Sequence, residues 1–319
     1  MDVIYTDSAR VEIGVLKRFY LDVAVGDEND FEVEMGIGDF GTLTNGSCII
    51  LDGTEIGGII SGVRVNTGEE KVYHTGQTWE GVLSKHIVQP SGDYYTATGD
   101  VHTVISSLIT SCNLVDTFKA DSELAGSSVS AWKFDRYCTL YDGIRKMLES
   151  VGRRMSFAWS RSDKKVIITT KPISTYPEAG TISSDQVSMT IERDYAPVNH
   201  LICLGSGELS NRQVIHLYLQ SNGSIGNTPY YTGGRVVESV YDCANAESSR
   251  ELDQGGRKRF AELLVGDSVS VTIQSDDACV GDMVYAEEVN TGVVVKKQIT
   301  KKIVTMSDNA TPKVEYEVK

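Results

Sequence analysis

Two histidines and a cysteine form a grouping in this sequence that could do catalytic chemistry. His200 and His216 lie on two apolar runs that read as a strand pair, with Cys203 nearby. A cysteine nucleophile needs a histidine base within hydrogen-bond reach and a third group that orients the base. Histidines on strands usually serve packing, so a structural role is the favoured interpretation. No two of the five histidines stand two or four residues apart, and we predict no metal site.

A glycine-rich segment matches the spacing of a dinucleotide fingerprint. Gly36, Gly38 and Gly41 fit the pattern G-x-G-x-x-G. The fingerprint needs a helix directly after the glycines, whose N-terminus holds the pyrophosphate. Residues 42–47, which read Thr-Leu-Thr-Asn-Gly-Ser, cannot begin an apolar-periodic helix, so we predict a turn between strands and no cofactor.

Adjacent carboxylates are frequent, at Glu69–Glu70, Asp276–Asp277 and Glu287–Glu288. Glycoside hydrolysis needs two carboxyl groups held about 5–10 Å apart in a cleft. These pairs fall at predicted turns or strand ends, which favours solvated positions. We therefore predict that the chain is not an enzyme, with no catalytic residues.

The composition is that of a folded, acidic protein. Of 319 residues, 40% are hydrophobic and the net charge is −14. Sequence-specific nucleic-acid binding and adhesion to anionic membranes both need positive patches, so neither is expected. No apolar run reaches the roughly 18 residues of a membrane span, and we expect neither membrane insertion nor a cleaved signal.

The distribution of charge divides the chain into segments, and the spacing of the cysteines indicates the state of their thiols. Residues 1–95 hold 16 acids and 6 bases, residues 96–174 hold 8 and 11, and residues 175–319 hold 20 and 13. The middle segment therefore stands out as a separate unit. No two of the six cysteines are closer than 26 residues, which excludes a zinc ribbon and favours buried, reduced thiols.

The elements that position these residues are mostly strands. Apolar and polar residues alternate along 11–15, 21–25 and 31–35, and two further apolar runs follow at 48–51 and 57–65. Glycines in the last run suggest bulges or bends. We predict that residues 1–95 form a β-barrel.

Residues 96–174 predict a small α+β domain. Asp100 and Thr139 are suited to cap helices whose apolar stripes end near Cys112 and Val151. A hairpin of 155–159 with 166–170 follows, and both helices should pack on it. From 175 onward strands return, with a helical interruption near 244–264 that Gly255–Gly256 could break. This predicts a second β-barrel domain over residues 175–319.

Several segments together resemble the tail-tip hub proteins of siphophages and prophages. Residues 76–83 read Gly-Gln-Thr-Trp-Glu-Gly-Val-Leu, similar to the family's G-x-T-W-E-G-x-L segment. The other similar segments follow in the same order along nearly the whole chain, at 91–102, 137–148, 199–208, 212–218 and 280–286. The ordered set is more specific than any one segment.

The resemblance implies a mainly β, baseplate-hub-like fold with two β-barrel tube domains and smaller α+β domains. It implies a structural protein of the virion tail tip, made in the bacterial cytoplasm. Three copies would form a ring that joins the tail tube to the tip and lets DNA pass. The implied partners are distal tail or tail-tube proteins, the tape-measure protein, and tip or fibre proteins.

Two alternative functions stay open beside the structural one. A tail-delivered cell-wall hydrolase conflicts with the missing catalytic spacing. A carbohydrate-binding adhesin could stack sugars on Trp79, Trp132 and Trp159, although tryptophans on strands are more often core.

The acidic excess of residues 1–95 suggests a hypothesis about the ring. Glu12, Asp22, Glu32 and Glu34 lie at polar positions of predicted strands. In the lumen they would repel DNA, whereas basic side chains would bind its phosphates. The alternative is that they face bulk solvent and only aid solubility.

Overall fold

The computed structural model describes residues 1–176, 187–193, 197–246, 248–264, 267–273, 278–288, 293–308 and 310–318. The chain forms two compact units. Unit 1 comprises residues 1–189 and 270–319, and unit 2 comprises residues 190–269. The three-domain division at 95 and 174 stays a prediction.

Unit 1 is built on a large sheet. Its N-terminal strands are β1 (Val3–Thr6), β2 (Glu12–Val15), β3 (Phe19–Gly26), β4 (Asp30–Gly36), β5 (Cys48–Leu51), β6 (Gly57–Asn66) and β7 (Lys71–Thr78). They pair antiparallel in the order β3-β4-β7-β6-β5-β1-β2. Alternation places Leu21, Val23 and Val33 in the core and their polar neighbours on the other face. The register shifts between Ile60 and Gly62, as the glycines of β6 predicted.

The other strands follow along the chain. The remaining strands up to unit 2 are β8 (Thr96–Asp100), β9 (Phe118–Ala120), β10 (Ser128–Lys133), β11 (Arg153–Ser160), β12 (Lys165–Pro172), β13 (Thr175–Tyr176) and β14 (Val187–Arg193). Those of unit 2 are β15 (His200–Leu204), β16 (Val214–Leu219), β17 (Ile225–Gly226) and β18 (Glu238–Asp242). The chain ends with β19 (Asp267–Ile273), β20 (Met283–Glu288), β21 (Val293–Ser307) and β22 (Lys313–Val318).

The pairing of β21 with β3 joins the two ends of the chain. In register, Val304 faces Val23 and Met306 faces Leu21, and β22 pairs along the other side of β21. The mainly β fold with an α+β insertion is thus confirmed. Within the described residues no pairing joins β2 to the far end of this path, so a closed barrel is not detected there. The predicted hairpin turn at 290–292 lies outside the described residues.

An α+β layer covers one side of the large sheet. It contains α1 (Trp79–Ser84), α2 (Val101–Ser111) and α3 (Leu140–Glu149) beside the three-stranded sheet β11-β12-β9. The predicted stripes of α2 and α3 are buried on the β11–β12 hairpin and β9, which confirms the expected packing. Their core also includes Ile4, Cys48 and Ile50 from the large sheet.

The helices of this layer begin at side-chain caps. Asp100 accepts a hydrogen bond from the His102 N–H at 2.9 Å, and Thr139 accepts one from the Asp142 N–H at 3.1 Å. Both caps were predicted. The short helix α1 was not predicted, although Thr78 caps it by accepting from the Gly81 N–H at 3.3 Å.

Unit 2 is a four-stranded sheet of order β17-β16-β15-β18 with α4 (Ser249–Leu263) on one face. Ser248 caps α4. The helix predicted near 244–264 is present. It runs without a break through Gly255–Gly256, so the suggested break of the helix at these glycines is wrong. The reason is that Gly256 lies against the sheet, where packing compensates its poor helix propensity.

Among the described helices of both units, none is long and apolar enough to span a membrane.

Candidate functional site

An acidic surface covers the solvent face of β3 and β4. Asp22 lies directly opposite Glu32 in the antiparallel register, and Tyr20 lies opposite Glu34. Their neighbours Leu21 and Val33 point into the core. Because alternate residues share a face, the acidic side chains project together from the sheet. We call Asp22, Asp30, Glu32 and Glu34 the acidic face.

Basic side chains on adjacent strands neutralise part of the acidic face. Arg64 on β6 contacts Glu32 at 3.1 Å, and Lys71 on β7 contacts Glu34 at 2.5 Å. These pairs are half-exposed, so each contributes little to stability. Asp22 has no such contact among the described residues, and the neighbouring Lys301 bridges Glu28 and Glu317 instead.

The pKa of Asp22 depends on its partial burial and on its charged neighbours. Partial burial raises this pKa, the nearby carboxylates of Asp30 and Glu32 raise it further, and Lys301 lowers it by a smaller amount. Like charges disfavour ionisation of a group between them. The acidic face holds two carboxylates, Asp22 and Asp30, in addition to the two that Arg64 and Lys71 contact.

Glu12 does not belong to the acidic face. It lies on β2, where its Oε1 accepts a hydrogen bond from Trp159 Nε1 at 3.0 Å and pairs with Arg161 Nε at 2.9 Å. These contacts join β2 to β11 and its following turn. Of the four proposed lumen residues, the structure brings together Asp22, Glu32 and Glu34.

The predicted meeting of two histidines in unit 2 is confirmed, but without the cysteine. His200 Nε2 lies 2.9 Å from His216 Nδ1. Cys203 lies on the opposite face of the sheet, against Gly256 of α4. Burial, with a smaller effect of Asp253, raises the pKa of this thiol to about 11. A thiol of that pKa carries almost no thiolate at neutral pH, so the arrangement does not fit a cysteine–histidine pair.

The other histidines have structural positions. His102 is buried, with Nδ1 2.6 Å from the Glu123 carbonyl oxygen and Nε2 3.0 Å from Thr170 Oγ1. His86 Nδ1 lies 2.9 Å from the Val82 carbonyl oxygen. His74 is buried with neither ring nitrogen hydrogen-bonded, and burial lowers its pKa. Across the described part of the chain, no three His, Cys, Asp or Glu side chains are grouped to share a metal ion.

The tryptophans pack against other aromatic side chains of the protein. Trp79 is 2% exposed, and Trp159 stacks on it with ring centroids 6.4 Å apart. Trp132 packs edge-on against Phe134. The predicted core role fits these contacts, and Trp79 is not available to stack on a sugar.

The glycine-rich and acidic motifs lie in turns. Gly36 ends β4, and a 3₁₀ turn over Ile37–Asp39 follows in place of a long helix, as predicted. Glu69–Glu70 lie in the turn between β6 and β7. Asp276–Asp277 lie outside the described residues, and Glu287–Glu288 end β20.

A cavity of about 570 Å³ in unit 1 lies between the large sheet and the β11–β12 hairpin. Arg154 on its wall contacts Glu55 at 2.9 Å and Asp282 at 3.2 Å, and Lys171 contacts Glu55 at 2.7 Å. Glu80 also lines this cavity, and burial raises its pKa to about 7. The ion pairs join three chain segments, which is typical of a structural network.

Some of these contacts have no signal in the sequence. Glu238 binds His200 because β18 runs parallel to β15, a pairing between distant segments. The positions of Arg64 and Lys71 follow from the register of β6, β7 and β4, which alternation alone does not fix.

Neither a protein-family model nor a curated protein sequence matches this chain. Solved structures are similar over its whole length. A prophage MuSo2 43 kDa tail protein from Shewanella oneidensis superposes with a TM-score of 0.54 at 12% identity, covering 100% of this chain and 98% of that chain. A tail protein from Neisseria meningitidis MC58 gives a TM-score of 0.51 at 15% identity, covering 100% of this chain and 96% of the other.

Proposed function

The chain has the fold of prophage tail proteins, and we propose that it is a structural component of a phage or prophage tail. The observation that carries this proposal is the superposition over the full length of two tail proteins. Fold likeness alone does not determine function. Here it agrees with the ordered tail-tip hub segments of the sequence.

We place the protein at the tail tip, as a hub subunit in a ring of three copies. Closed cyclic symmetry is the usual arrangement of identical subunits. The partners of such a ring are the tail-tube or distal tail proteins on one side and tip or fibre proteins on the other. The tape-measure protein and then the DNA would pass through its centre.

The location can be tested on intact particles. Antibodies against unit 2 would be bound to purified virions and viewed by immunogold electron microscopy. Label at the distal end of the tail supports the proposal. Label along the whole tube or on the capsid contradicts it.

The acidic face has a defined role in this proposal. We place Asp22, Glu32 and Glu34 toward the lumen, where they repel the phosphates of DNA in transit. This repulsion is short-ranged because the Debye length at physiological salt is about 8 Å. The alternative is that the acidic face meets bulk solvent and aids solubility.

Charge reversal separates these alternatives. The variant Asp22→Lys/Glu32→Lys/Glu34→Lys should assemble into tails but eject DNA more slowly, because lysines in the lumen bind phosphates. The matched control reverses three exposed acids elsewhere, Asp93, Asp116 and Glu123. Equal ejection rates in both variants and the parent would remove the lumen placement.

Enzymatic activity forms no part of the proposed function. A tail-delivered hydrolase would clear a peptidoglycan gel. We expect no clearing by the purified chain, and clearing that one point substitution abolishes would overturn this.

A further inference from the structure

The cavity of about 570 Å³ in unit 1 has a mostly apolar wall. Its buried apolar side chains come from both layers of the unit and include Val25, Leu51, Ile56, Phe157 and Val304. The wall also includes the exposed residues Gly53, Ala158 and Lys171, so the cavity reaches the surface. Ligand cavities typically measure about 300–1,000 Å³ and combine apolar walls with a few polar groups that orient the ligand. The size and character of this cavity suit a small organic group.

Two acids on the cavity wall differ in their partners. Glu55 is contacted by Arg154 at 2.9 Å and by Lys171 at 2.7 Å. Burial favours the neutral acid, yet Arg154 and Lys171 hold the pKa of Glu55 below its ordinary value. Glu80 is 8% exposed, and none of the basic side chains that the structure describes contacts its carboxyl group. The cavity thus contains one buried carboxyl group without a counter-charge.

The environment of Glu80 makes its negative charge costly. Burial raises the pKa of Glu80 to about 7, against small opposing effects of its own backbone N–H and of Thr78, and Glu55 raises it slightly. A buried charge is unfavourable unless it is paired. A ligand that brought a positive charge into the cavity would offset this cost.

Tyr141 is the second polar group of the wall that lacks a partner. Its side chain is 7% exposed, and its hydroxyl forms no hydrogen bond with any described residue. Burial and, to a smaller extent, the charge of Glu80 raise the pKa of Tyr141, so the two side chains lie close together. A phenol hydroxyl can both donate and accept, and buried hydroxyls are normally hydrogen-bonded. Glu80 and Tyr141 therefore form a polar site in the wall with unused capacity.

The basic side chains of the wall are each held by oxygen acceptors of the protein. The contacts are Arg145 with Glu149, Arg153 with the Thr170 carbonyl, Arg154 with Glu55 and Asp282, Lys171 with Glu55, and Lys302 with the Ala278 carbonyl. An anion would have to compete with these acceptors. A cation meets no such competition at Glu80, so the wall favours a positively charged ligand.

We propose that this cavity binds a primary alkylammonium group, carried either by a free amine or by a lysine side chain of a partner protein. The ammonium donates hydrogen bonds to the Glu80 carboxylate and to the Tyr141 hydroxyl, and the alkyl chain lies along the apolar wall. Hydrogen bonds between two charged groups are the strong ones in a buried site. Where Glu80 is protonated, its proton leaves to water as the ammonium enters, so one positive charge replaces another.

Calorimetric titration of the intact chain with hexylammonium chloride at pH 8 tests the site. We expect saturable binding that Glu80→Gln weakens at least about tenfold and Tyr141→Phe weakens about two- to tenfold. Hexanol has the same chain without the charge, so it should bind more weakly to the parent and equally well to the parent and Glu80→Gln. The control Glu123→Gln changes an exposed acid outside the cavity and should bind like the parent. Circular dichroism checks the fold of each variant.

The pH dependence of binding identifies the group that titrates. Affinity for hexylammonium should rise about tenfold from pH 6 to pH 8, because Glu80 becomes ionised while an alkylammonium, like lysine, stays charged. Met1 also lies on the wall. Loss of the pH dependence in Glu80→Gln distinguishes Glu80 from the Met1 amino group.

Two peptides determine the source of the ammonium group. Acetyl-Ala-Lys-Ala-amide is compared with acetyl-Ala-Met-Ala-amide, which lacks the charge. Binding of the lysine peptide assigns the group to a partner protein, and binding of hexylammonium alone assigns it to a free amine. Equal hexylammonium affinity of the parent and Glu80→Gln, stronger binding at pH 6 than at pH 8, or the absence of saturable binding at millimolar concentrations would overturn the proposal.

Discussion

The two helix-on-sheet layers of this chain are packed in different ways. In unit 1, α2 and α3 bury continuous stripes of large residues, including Leu108, Ile144 and Leu148. In unit 2, α4 buries only Leu252, Gly256 and Phe260. A Cβ placed on Gly256 would lie 2.5 Å from Cys203 Sγ, so the glycine allows the helix backbone to approach the sheet closely.

This difference shows that a helix can pack on a sheet through many large side chains, or through a close approach of its backbone at a glycine. A broad stripe spreads its packing over many side chains, and one truncation leaves the others in place. A narrow contact relies on two large side chains, Leu252 and Phe260, and one residue without a side chain. Truncating a large side chain such as Phe260 should therefore be strongly destabilising in unit 2, and adding a side chain at Gly256 should be destabilising to a smaller extent.

The largest effect is expected from Phe260→Ala. This side chain is fully buried under α4, and truncating such a phenylalanine costs about 3–5 kcal/mol. All three tryptophans lie in unit 1, so hydrogen exchange of the β15 and β16 amides is the appropriate probe. The control Arg259→Ala, on the exposed side of α4, should change stability by less than about 1 kcal/mol. Equal exchange in both variants would contradict the anchor role.

Leu148→Ala tests the broad stripe in the same way. The residue is fully buried in the unit 1 layer, and we expect a loss of about 2–5 kcal/mol. Tryptophan fluorescence during chemical denaturation reports it. A loss below about 1 kcal/mol would mean that the stripe is not core. Lys146→Ala, on the exposed side of α3, is the matched control.

The unit 1 layer also contains a buried acid whose effect depends on pH. The folded-state pKa of Glu80 is about 7, above its ordinary value of 4.5, because of burial. Between these values the folded state binds more protons, so stability falls as pH rises through this window. Removing the charge with Glu80→Gln should stabilise the protein by about 3 kcal/mol at pH 8 and change little at pH 4.

Denaturation of Glu80→Gln at both pH values measures the difference, with Glu149→Gln as the control for a half-exposed carboxylate. A gain at pH 4 equal to that at pH 8 would show that Glu80 is not the titrating group.

The smallest effects come from the two glycines of α4. Gly256→Ala should cost about 1–3 kcal/mol, because its Cβ meets the fixed Cys203 side chain. A Cβ on Gly255 would lie 2.9 Å from the hydroxyl oxygen of Tyr241 and 3.4–3.5 Å from two of its ring carbons, at the far end of a side chain that can shift. Gly255→Ala should therefore leave stability unchanged or raise it by up to about 1 kcal/mol through helix propensity. Identical exchange in the two variants would remove the close-contact interpretation.

Sequence periodicity predicted the features that depend on local pattern. The alternation of β3 and β4, the caps Asp100 and Thr139, and the stripes of α2 and α3 all appear in the fold. Gly256 was interpreted as a weakness of the helix because sequence gives no view of the surface it faces. The joining of β21 to β3 depends on a pairing across nearly the whole chain, which local pattern cannot reveal.

The candidate sites show the same limit. Asp22, Glu32 and Glu34 could be grouped from alternation, because neighbouring strands share faces. Glu12 was grouped with them only because it occupies a polar position of an alternating strand. Its contact with Arg161 depends on the position of a distant turn. The meeting of His200 and His216 could be predicted from a local strand pair. The contact of Glu238 with His200 could not, because it depends on the parallel pairing of β15 with the distant β18.

A cryo-electron microscopy reconstruction of the intact tail tip tests the proposed function most directly. We predict three copies of this chain in one ring at the distal end of the tail tube, with the acidic face toward the lumen. Six copies, one copy, or no density for this fold at the tip would contradict the account.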